Sequence, residues 1–123
     1  MKTIIAGGRE ITNPKFLNAA ISKCGWTITE VVSGTARGVD QMGEAWAANN
    51  NVPVKRFPAD WDGLGKRAGY IRNQAMAGYA EALVLVWDGQ SAGSGHMLAI
   101  AHALKLKIYE LIVKPEDIDG QNE

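Results

Sequence analysis

Five short runs of apolar residues recur along the chain, at 2–6, 30–33, 52–57, 82–87 and 107–113. Most are rich in Val, Ile and Leu and do not alternate apolar with polar residues, which is typical of strands covered on both faces. Helical patterns separate the runs, and strands that alternate with helices predict a parallel sheet with right-handed crossovers. We therefore expect an α/β fold of three layers, α/β/α, around a five-stranded parallel sheet in the order 3-2-1-4-5.

Four helices are predicted between these strands. The first has Asn13 as a cap and Pro14 at its first position, and Gly25 gives it a stop. The buried faces are predicted from apolar residues at helical spacing: Leu17, Ala20, Ile21 and Cys24; Val39, Met42 and Trp46; Ile71, Ala75 and Tyr79; and Met97, Ile100, Ala101 and Leu104.

Length and composition indicate one domain. A chain of 123 residues with 46% hydrophobic content suits a single core. We place the domain at 1–113 and a polar tail at 114–123, which we expect to be loose after Ile118.

Cys24 is the only cysteine, so no internal disulfide forms, and a reducing compartment is expected. The first apolar run is too short for a signal peptide, and no stretch approaches the roughly 18 apolar residues of a membrane helix. We expect a cytoplasmic protein that does not contact membranes.

The charge balance argues against a general nucleic-acid binder. Lys and Arg number 13, Asp and Glu number 13, and the net charge is zero. Proteins that bind nucleic acid through its phosphates usually carry a basic excess. A local basic patch is compatible with this balance.

The glycines concentrate at one edge of the predicted sheet. Of 14 glycines, nine fall in the segments that lead from a predicted strand to the next helix: Gly7, Gly8, Gly34, Gly38, Gly63, Gly65, Gly89, Gly93 and Gly95. In an open parallel sheet, ligands bind outside the carboxyl ends of the strands. Glycine allows the backbone to approach a ligand closely or to take a positive φ. The pattern therefore predicts a ligand site at this edge.

The loop after the first strand supplies Gly7, Gly8 and Arg9. The two glycines permit a tight turn over the central crevice, from which Arg9 can reach a phosphate. The alternative is a plain turn with a solvated arginine.

The loop after the second strand, SGTARGVD at 33–40, leads into a helix. Free N–H groups at a helix start attract anions, as does the helix dipole. Gly34 and Gly38 keep Cβ atoms away, Thr35 adds a donor and Arg37 a charge. We include Ser33 in the candidate site, and Asp40 either caps the helix or binds a ribose hydroxyl. The spacing matches neither a dinucleotide fingerprint nor a Walker A loop.

Two later segments complete the candidate site. The long polar segment 57–76 contains Trp61, which either stacks on a base or covers the sheet end, and Arg72 and Asn73, which face either the crevice or solvent. The segment 88–97 has Asp88 near the strand-order switch point, and Gly93, Ser94 and Gly95 open a helix as a second anion cradle. The two histidines lack metal-ligand spacing, and no nucleophile elbow occurs, so we predict neither a metal nor a cofactor.

Together, GGR at 7–9, SGTARGVD at 33–40, FPADWDGLGKRAGYIRNQAM at 57–76 and the Gly-Ser turn at 93–94 resemble the SLOG superfamily. This Rossmann-like group includes the cytokinin-activating LOG proteins, the Smf/DprA DNA-processing proteins and TIR-associated sensor domains. The resemblance covers roughly residues 2 to 112 and is closest to the small YspA-like (cpYpsA-related) branch of bacteria and phages.

The resemblance implies a site for a nucleotide or nucleotide-derived ligand at the carboxyl edge. The matching positions are Gly7, Gly8, Arg9, Gly34, Thr35, Arg37, Gly38, Asp40, Arg72, Asn73, Gly93 and Ser94. LOG enzymes cleave nucleoside monophosphates at the N-glycosidic bond with an arginine and a glutamate. Here Met97 occupies the glutamate position, and a thioether cannot serve as a carboxylate base.

We therefore expect a module that binds a nucleotide-type ligand for sensing or sequestration. The first alternative is a nucleotide N-glycosidase, with Asp88 or Asp60 as the carboxylate and Arg72 as a further candidate. The second alternative is single-stranded DNA binding, as in the Smf/DprA relatives. The resemblance also implies a homodimer or higher homo-oligomer.

Overall fold

A five-stranded parallel sheet forms the centre of the molecule. The computed structural model describes residues 1–120. The strands are β1 (Lys2–Gly7), β2 (Glu30–Ser33), β3 (Val54–Arg56), β4 (Ala82–Trp87) and β5 (Lys107–Ile112). All pairings are parallel, and the strand order is β3-β2-β1-β4-β5. The predicted fold class and strand order are confirmed.

Helices cover both faces of this sheet. They are α1 (Pro14–Lys23), α2 (Val39–Asn49), α3 (Trp61–Leu64), α4 (Ala68–Tyr79), α5 (Ala92–Ala103) and α6 (Pro115–Asp119), and a 3₁₀ turn at Gly65–Arg67 joins α3 to α4. Side chains of α1 and α2 pack into one core cluster, and those of α4 and α5 pack into the other. None of the described helices combines the length and the apolarity needed to cross a membrane.

The interior strand β4 lies between β1 and β5, and its apolar sequence does not alternate with polar residues. All six of its residues are buried. Leu83 and Leu85 belong to the core under α4 and α5, while Val84 and Val86 belong to the core under α1 and α2. Because both faces of the strand are covered, both sets of positions need apolar side chains.

The predicted buried face of α4 is wrong at Ile71 and Ala75, whereas Tyr79 is partly buried and packs against the core. Ile71 is 42% exposed and Ala75 is also exposed, whereas Met76 and Ala77 are buried. The helix is rotated so that the polar Asn73 is buried as well. A count of apolar residues cannot anticipate this rotation, because the partners of the polar side chains lie far away in the sequence. Leu104 was likewise assigned to a buried face, but it caps the end of α5 and is 52% exposed.

Two short helices were not predicted. The helix α3 lies in the segment expected to be a polar loop, and Asp60 caps it by accepting a hydrogen bond from the Gly63 amide at 3.0 Å. The helix α6 lies in the segment expected to be a polar tail, and its Ile118 packs against the core. Residues 121–123 of that tail lie outside the described residues. The third strand is also shorter than predicted, Val54–Arg56 instead of 52–57.

Replacing Leu83 by Ala is expected to lower the free energy of unfolding by about 2–5 kcal/mol, because the side chain is fully buried and its loss leaves a cavity. The matched control is Leu104→Ala, which removes the same atoms from an exposed position and is expected to change stability by less than about 0.5 kcal/mol. Urea denaturation of both variants measures the difference. Equal losses would contradict the described core.

Candidate functional site

The turn after β1 is pressed against β4. A Cβ atom at Gly7 would collide with the carbonyl of Val86, and the Gly8 amide donates to that same carbonyl oxygen at 3.0 Å. The Gly8 carbonyl in turn accepts from the Val39 amide at 3.3 Å. The turn therefore connects β4 with the first residue of α2, and the exposed Arg9 follows directly.

Gly38 brings the start of α2 against this turn. Its φ is 77°, and a Cβ atom there would collide with the backbone of Gly8 and Arg9. Both the conformation and the lack of space require glycine at this position. As a result, the loops after β1 and β2 lie side by side at the carboxyl edge.

The loop between β2 and α2 contains a residue in the left-handed region. Thr35 has a φ of 64°, which costs of order 1–3 kcal/mol for a residue other than glycine. Three contacts hold the loop in place. The Thr35 amide donates to Ser33 Oγ at 3.1 Å, the Ala36 amide donates to Asp40 Oδ2 at 3.1 Å, and Arg72 Nη1 donates to the Gly34 carbonyl at 2.5 Å.

Asp40 is a buried carboxyl group in the first turn of α2, and only 6% of the residue is exposed. Burial is the main reason that its pKa is raised from 3.8 to about 6. The Ala36 amide and the charges of Arg72 and Arg9 lower this pKa, while the charge of Glu44 raises it. The carboxyl group is therefore poised between its two protonation states close to neutral pH.

Glu44 lies one turn after Asp40 on the same helix. It accepts from Ser33 Oγ at 2.7 Å and from Arg56 Nε at 2.9 Å. Ser33 thus links the start of the loop to α2 through Glu44, and the spacing of four residues puts both carboxyl groups of α2 on one face.

Arg72 extends from α4 to the loop after β2. In addition to the Gly34 carbonyl, it contacts Asn73 Oδ1 through Nε at 3.0 Å. Burial lowers the pKa of Arg72, the charge of Asp40 counteracts that effect, and the charge of Arg9 adds to it. A partly desolvated guanidinium beside Arg9 favours an anion at this point.

Asn73 connects α4 to the start of α5. Its amide nitrogen donates to the Gly93 carbonyl at 3.2 Å and contacts His96 Nδ1 at 3.2 Å. Since the amide nitrogen is a donor, His96 Nδ1 accepts and the ring proton lies on Nε2. Burial lowers the pKa of His96, which agrees with a neutral ring. Tyr70 packs edge-on against this ring, with 4.4 Å between centroids.

Two adjoining cavities open at this edge. The first cavity has a volume of about 350 Å³ and the second about 370 Å³. Of the predicted site residues, the first cavity is lined by Gly7, Gly8, Arg9, Asp40, Trp61, Arg72, Asn73, Gly93 and Ser94. The second cavity is lined by Arg9, Gly34, Thr35, Arg37, Trp61 and Arg72. The residues common to both, Arg9, Ala36, Trp61 and Arg72, form the boundary between the cavities.

Five candidate residues do not line either of these two cavities: Ser33, Gly38, Asp60, Asp88 and Gly95. Gly95 lies over the Trp87 ring. Asp88 Oδ1 accepts from the backbone amides of Gln90 and Ser91 at 2.9 and 3.0 Å, which lowers the pKa of Asp88 and stabilises the turn before α5. The carboxyl groups that do line the first cavity belong to Asp40 and Glu10.

Sequence reasoning missed Tyr70 and Glu44. Tyr70 lines the first cavity and is 45% exposed. Residues two positions apart do not share a face of a helix, so the spacing of Tyr70 from Arg72 gives no indication that both line the cavity. The orientation of α4 that brings Tyr70 to the cavity is seen only in the structure. Glu44 had a signal that was not used, namely its spacing of four residues from Asp40.

Comparison with known proteins gives three similarities. The family model "YAcAr: YspA, cpYpsA-related SLOG family" matches residues 1–63. The Gene 61 protein of Mycobacterium phage D29 is 32% identical over 91 residues, which cover 69% of this chain and 73% of the phage protein. DNA processing protein A (DprA) from Streptococcus pneumoniae has a similar fold, with a TM-score of 0.75 at 17% identity. That likeness covers 95% of this chain but 52% of DprA, so the chain spans about half of the DprA length.

Replacing Asp40 by Asn is expected to change how stability depends on pH. Because the pKa of Asp40 is raised in the folded state, its contribution to stability is greatest below pH 4 and is lost as the pH rises through about 6. The free energy of unfolding of the variant, relative to the wild type, is therefore expected to increase between pH 4 and 7. The increase is at most about 3 kcal/mol, at about 1.4 kcal/mol per pKa unit.

Urea denaturation of both proteins across this pH range measures the effect. A constant difference between the two proteins would show that Asp40 ionises as an ordinary carboxyl group.

Proposed function

The chain belongs to the YspA, cpYpsA-related SLOG family, and from this premise we propose that it binds a nucleotide or nucleotide-derived small molecule at the carboxyl edge of its sheet. The observation that carries the proposal is the pair of adjoining cavities that Arg9 and Arg72 both line. The proposed role is that of a sensing or sequestering module.

The positive charges at the boundary between the two cavities support an anionic ligand. Arg9 comes from the turn after β1 and Arg72 from α4, and they lie close enough that the charge of Arg9 lowers the pKa of Arg72. Two like charges at the rim of a cavity repel each other, and a phosphate between them relieves that repulsion while it accepts charge-assisted hydrogen bonds. Neither of the two salt bridges that the described residues form involves Arg9.

The aromatic side chains support a base or another flat group as the second part of the ligand. Trp61 lines both cavities and remains 49% exposed, although its ring offers a large apolar surface. Tyr70 of α4 also lines the first cavity and packs edge-on against His96. Stacking of a base on an aromatic side chain contributes about 1–3 kcal/mol. Each cavity also has the size usual for small-molecule sites, which is roughly 300–1,000 Å³.

Replacing Arg9 by Ala tests this proposal. The variant is expected to bind nucleotides about tenfold or more weakly, because a charge-assisted hydrogen bond contributes about 1.5–3 kcal/mol. Its stability is expected to stay within about 0.5 kcal/mol of the wild type, because Arg9 is exposed. A thermal-shift panel of nucleoside mono- and diphosphates and ADP-ribose identifies ligands, and calorimetry gives their affinities.

The matched control is Lys23→Ala, which removes a positive charge from the last turn of α1, away from the site. It is expected to bind like the wild type. If no nucleotide raises the melting temperature of the wild type, or if both variants lose affinity equally, the proposal is wrong.

A nucleotide N-glycosidase is the second candidate, and Asp40 is the observation in its favour. The two carboxylates predicted from the sequence have structural contacts instead, since Asp60 caps α3 and Asp88 stabilises a turn. Asp40, in contrast, lines the first cavity, and its pKa is raised to about 6. A carboxyl group with such a pKa suits general acid–base work near neutral pH. Met97 lines the same cavity with a thioether in place of a carboxylate.

Chromatography for free base after incubation with nucleoside monophosphates decides between the two candidates. For an enzyme, release of base is expected, with a loss of about a hundredfold or more in Asp40→Asn. Tight binding without release of base would favour the binding module.

Binding of single-stranded DNA is a third candidate, because the fold resembles that of a DNA processing protein. Retention of a single-stranded oligonucleotide that weakens as salt is added would favour this function.

We also propose that the chain forms a homodimer or higher homo-oligomer. Ile71 and Ile112 are large apolar side chains on the surface, which is compatible with self-association. Light scattering coupled to size exclusion measures the mass in solution, and a mass of 13.2 kDa at all concentrations would contradict this.

A further inference from the structure

The two cavities differ in chemistry, and we infer from this difference that the ligand is a nucleoside carrying at least two phosphates, free or esterified. Its nucleoside lies in the first cavity and its phosphate chain extends into the second. This inference rests on the proposed function and adds the class of ligand.

The first cavity suits a nucleoside. Met76 and Met97 contribute apolar surface, and Trp61 and Tyr70 contribute rings. The carboxyl group of Asp40 also lines it and can accept a hydrogen bond from a sugar hydroxyl or an amino group. Such a mixture of apolar surface and a few polar groups is usual for small-molecule sites.

The second cavity suits a phosphate chain. Three arginines, Arg9, Arg37 and Arg72, line it, and its lining contains no Asp or Glu. The remaining wall includes the strained loop at Gly34 and Thr35, which keeps its conformation through contacts from Asp40 and Arg72. Residues held in unfavourable backbone conformations cluster at ligand sites.

The positions of the three arginines indicate how many phosphates the ligand carries. Arg9 and Arg72 lie on the boundary of the two cavities and can share the first phosphate. Arg37 lines only the second cavity, so a monophosphate held at the boundary leaves it unused. Arg37 now pairs with Glu10 at 2.5 Å, and both side chains are largely exposed. An exposed pair contributes only about 0–1 kcal/mol, so a second phosphate can displace Glu10.

The test compares mono- and diphosphates of the same nucleoside by calorimetry. Adenosine and guanosine 5′-monophosphate, the two diphosphates and ADP-ribose are the probes. In the wild type, the diphosphate and ADP-ribose are expected to bind about tenfold or more tightly than the monophosphate, because one further charged hydrogen-bonding group is engaged.

Two variants localise the effect. Arg37→Ala removes the arginine that lines only the second cavity, and Ala59→Trp fills part of that cavity's volume. In both, the ratio of monophosphate to diphosphate dissociation constants is expected to fall to less than about threefold. The matched control is Arg67→Ala, which removes an arginine that lines neither cavity, although its neighbour Lys66 in the same 3₁₀ turn lines the first. This variant is expected to keep the wild-type ratio. Thermal melts confirm that each variant is folded.

The outcomes separate the two proposals. Equal affinities for mono- and diphosphates in the wild type, or a ratio that survives both Arg37→Ala and Ala59→Trp, would overturn the diphosphate inference and leave nucleotide binding in place. Absence of binding by every probe would overturn the proposed function and this inference together.

Discussion

Close approach of three backbone segments where β1 ends is the constraint on which the site depends. Gly7 lies against the Val86 carbonyl of β4, and Gly38 at the start of α2 lies against the backbone of Gly8 and Arg9. A Cβ atom at either glycine would collide with backbone atoms of the neighbouring segment. Backbone cannot move aside as a flexible side chain can, so the segments themselves would have to separate. The contact therefore fixes where Arg9 leaves the sheet, and it sets the loop after β2 next to the turn after β1. Both cavities lie along this junction.

The loop after β2 owes its shape to two groups that reach it from different helices. Asp40 of α2 accepts from the Ala36 amide, and Arg72 of α4 donates to the Gly34 carbonyl. Each of these groups is costly to bury alone, but each lowers the electrostatic cost of the other, as the opposing effects on the pKa values of Asp40 and Arg72 indicate. These two contacts hold the residues on either side of Thr35, and one of those residues, Ala36, lines both cavities.

The sequence predicted most of the fold but only part of the site. The strand limits 30–33 and 82–87 were predicted correctly because those strands are buried on both faces, which leaves a continuous apolar run. The face of α4 was wrong because its orientation depends on Asn73, whose partners Gly93 and His96 lie on another helix. The glycine pattern located the edge of the sheet at which the cavities open. It could not distinguish a glycine that lines a cavity, such as Gly8, from one that only permits close packing, such as Gly38.

Net charge is a poor guide to the field inside such a site. The chain has as many acidic as basic residues, yet three arginines line the second cavity. They come from three separate segments, the turn after β1, the loop after β2 and the helix α4. Concave walls of low dielectric strengthen this local field, whereas charges elsewhere on the surface are screened within about 8–10 Å by salt. A cavity of about 370 Å³ is within the size range that is usual for small-molecule sites. The three arginines on the wall of the second cavity, more than the charge balance of the chain, are therefore the basis for the anionic ligand that we propose.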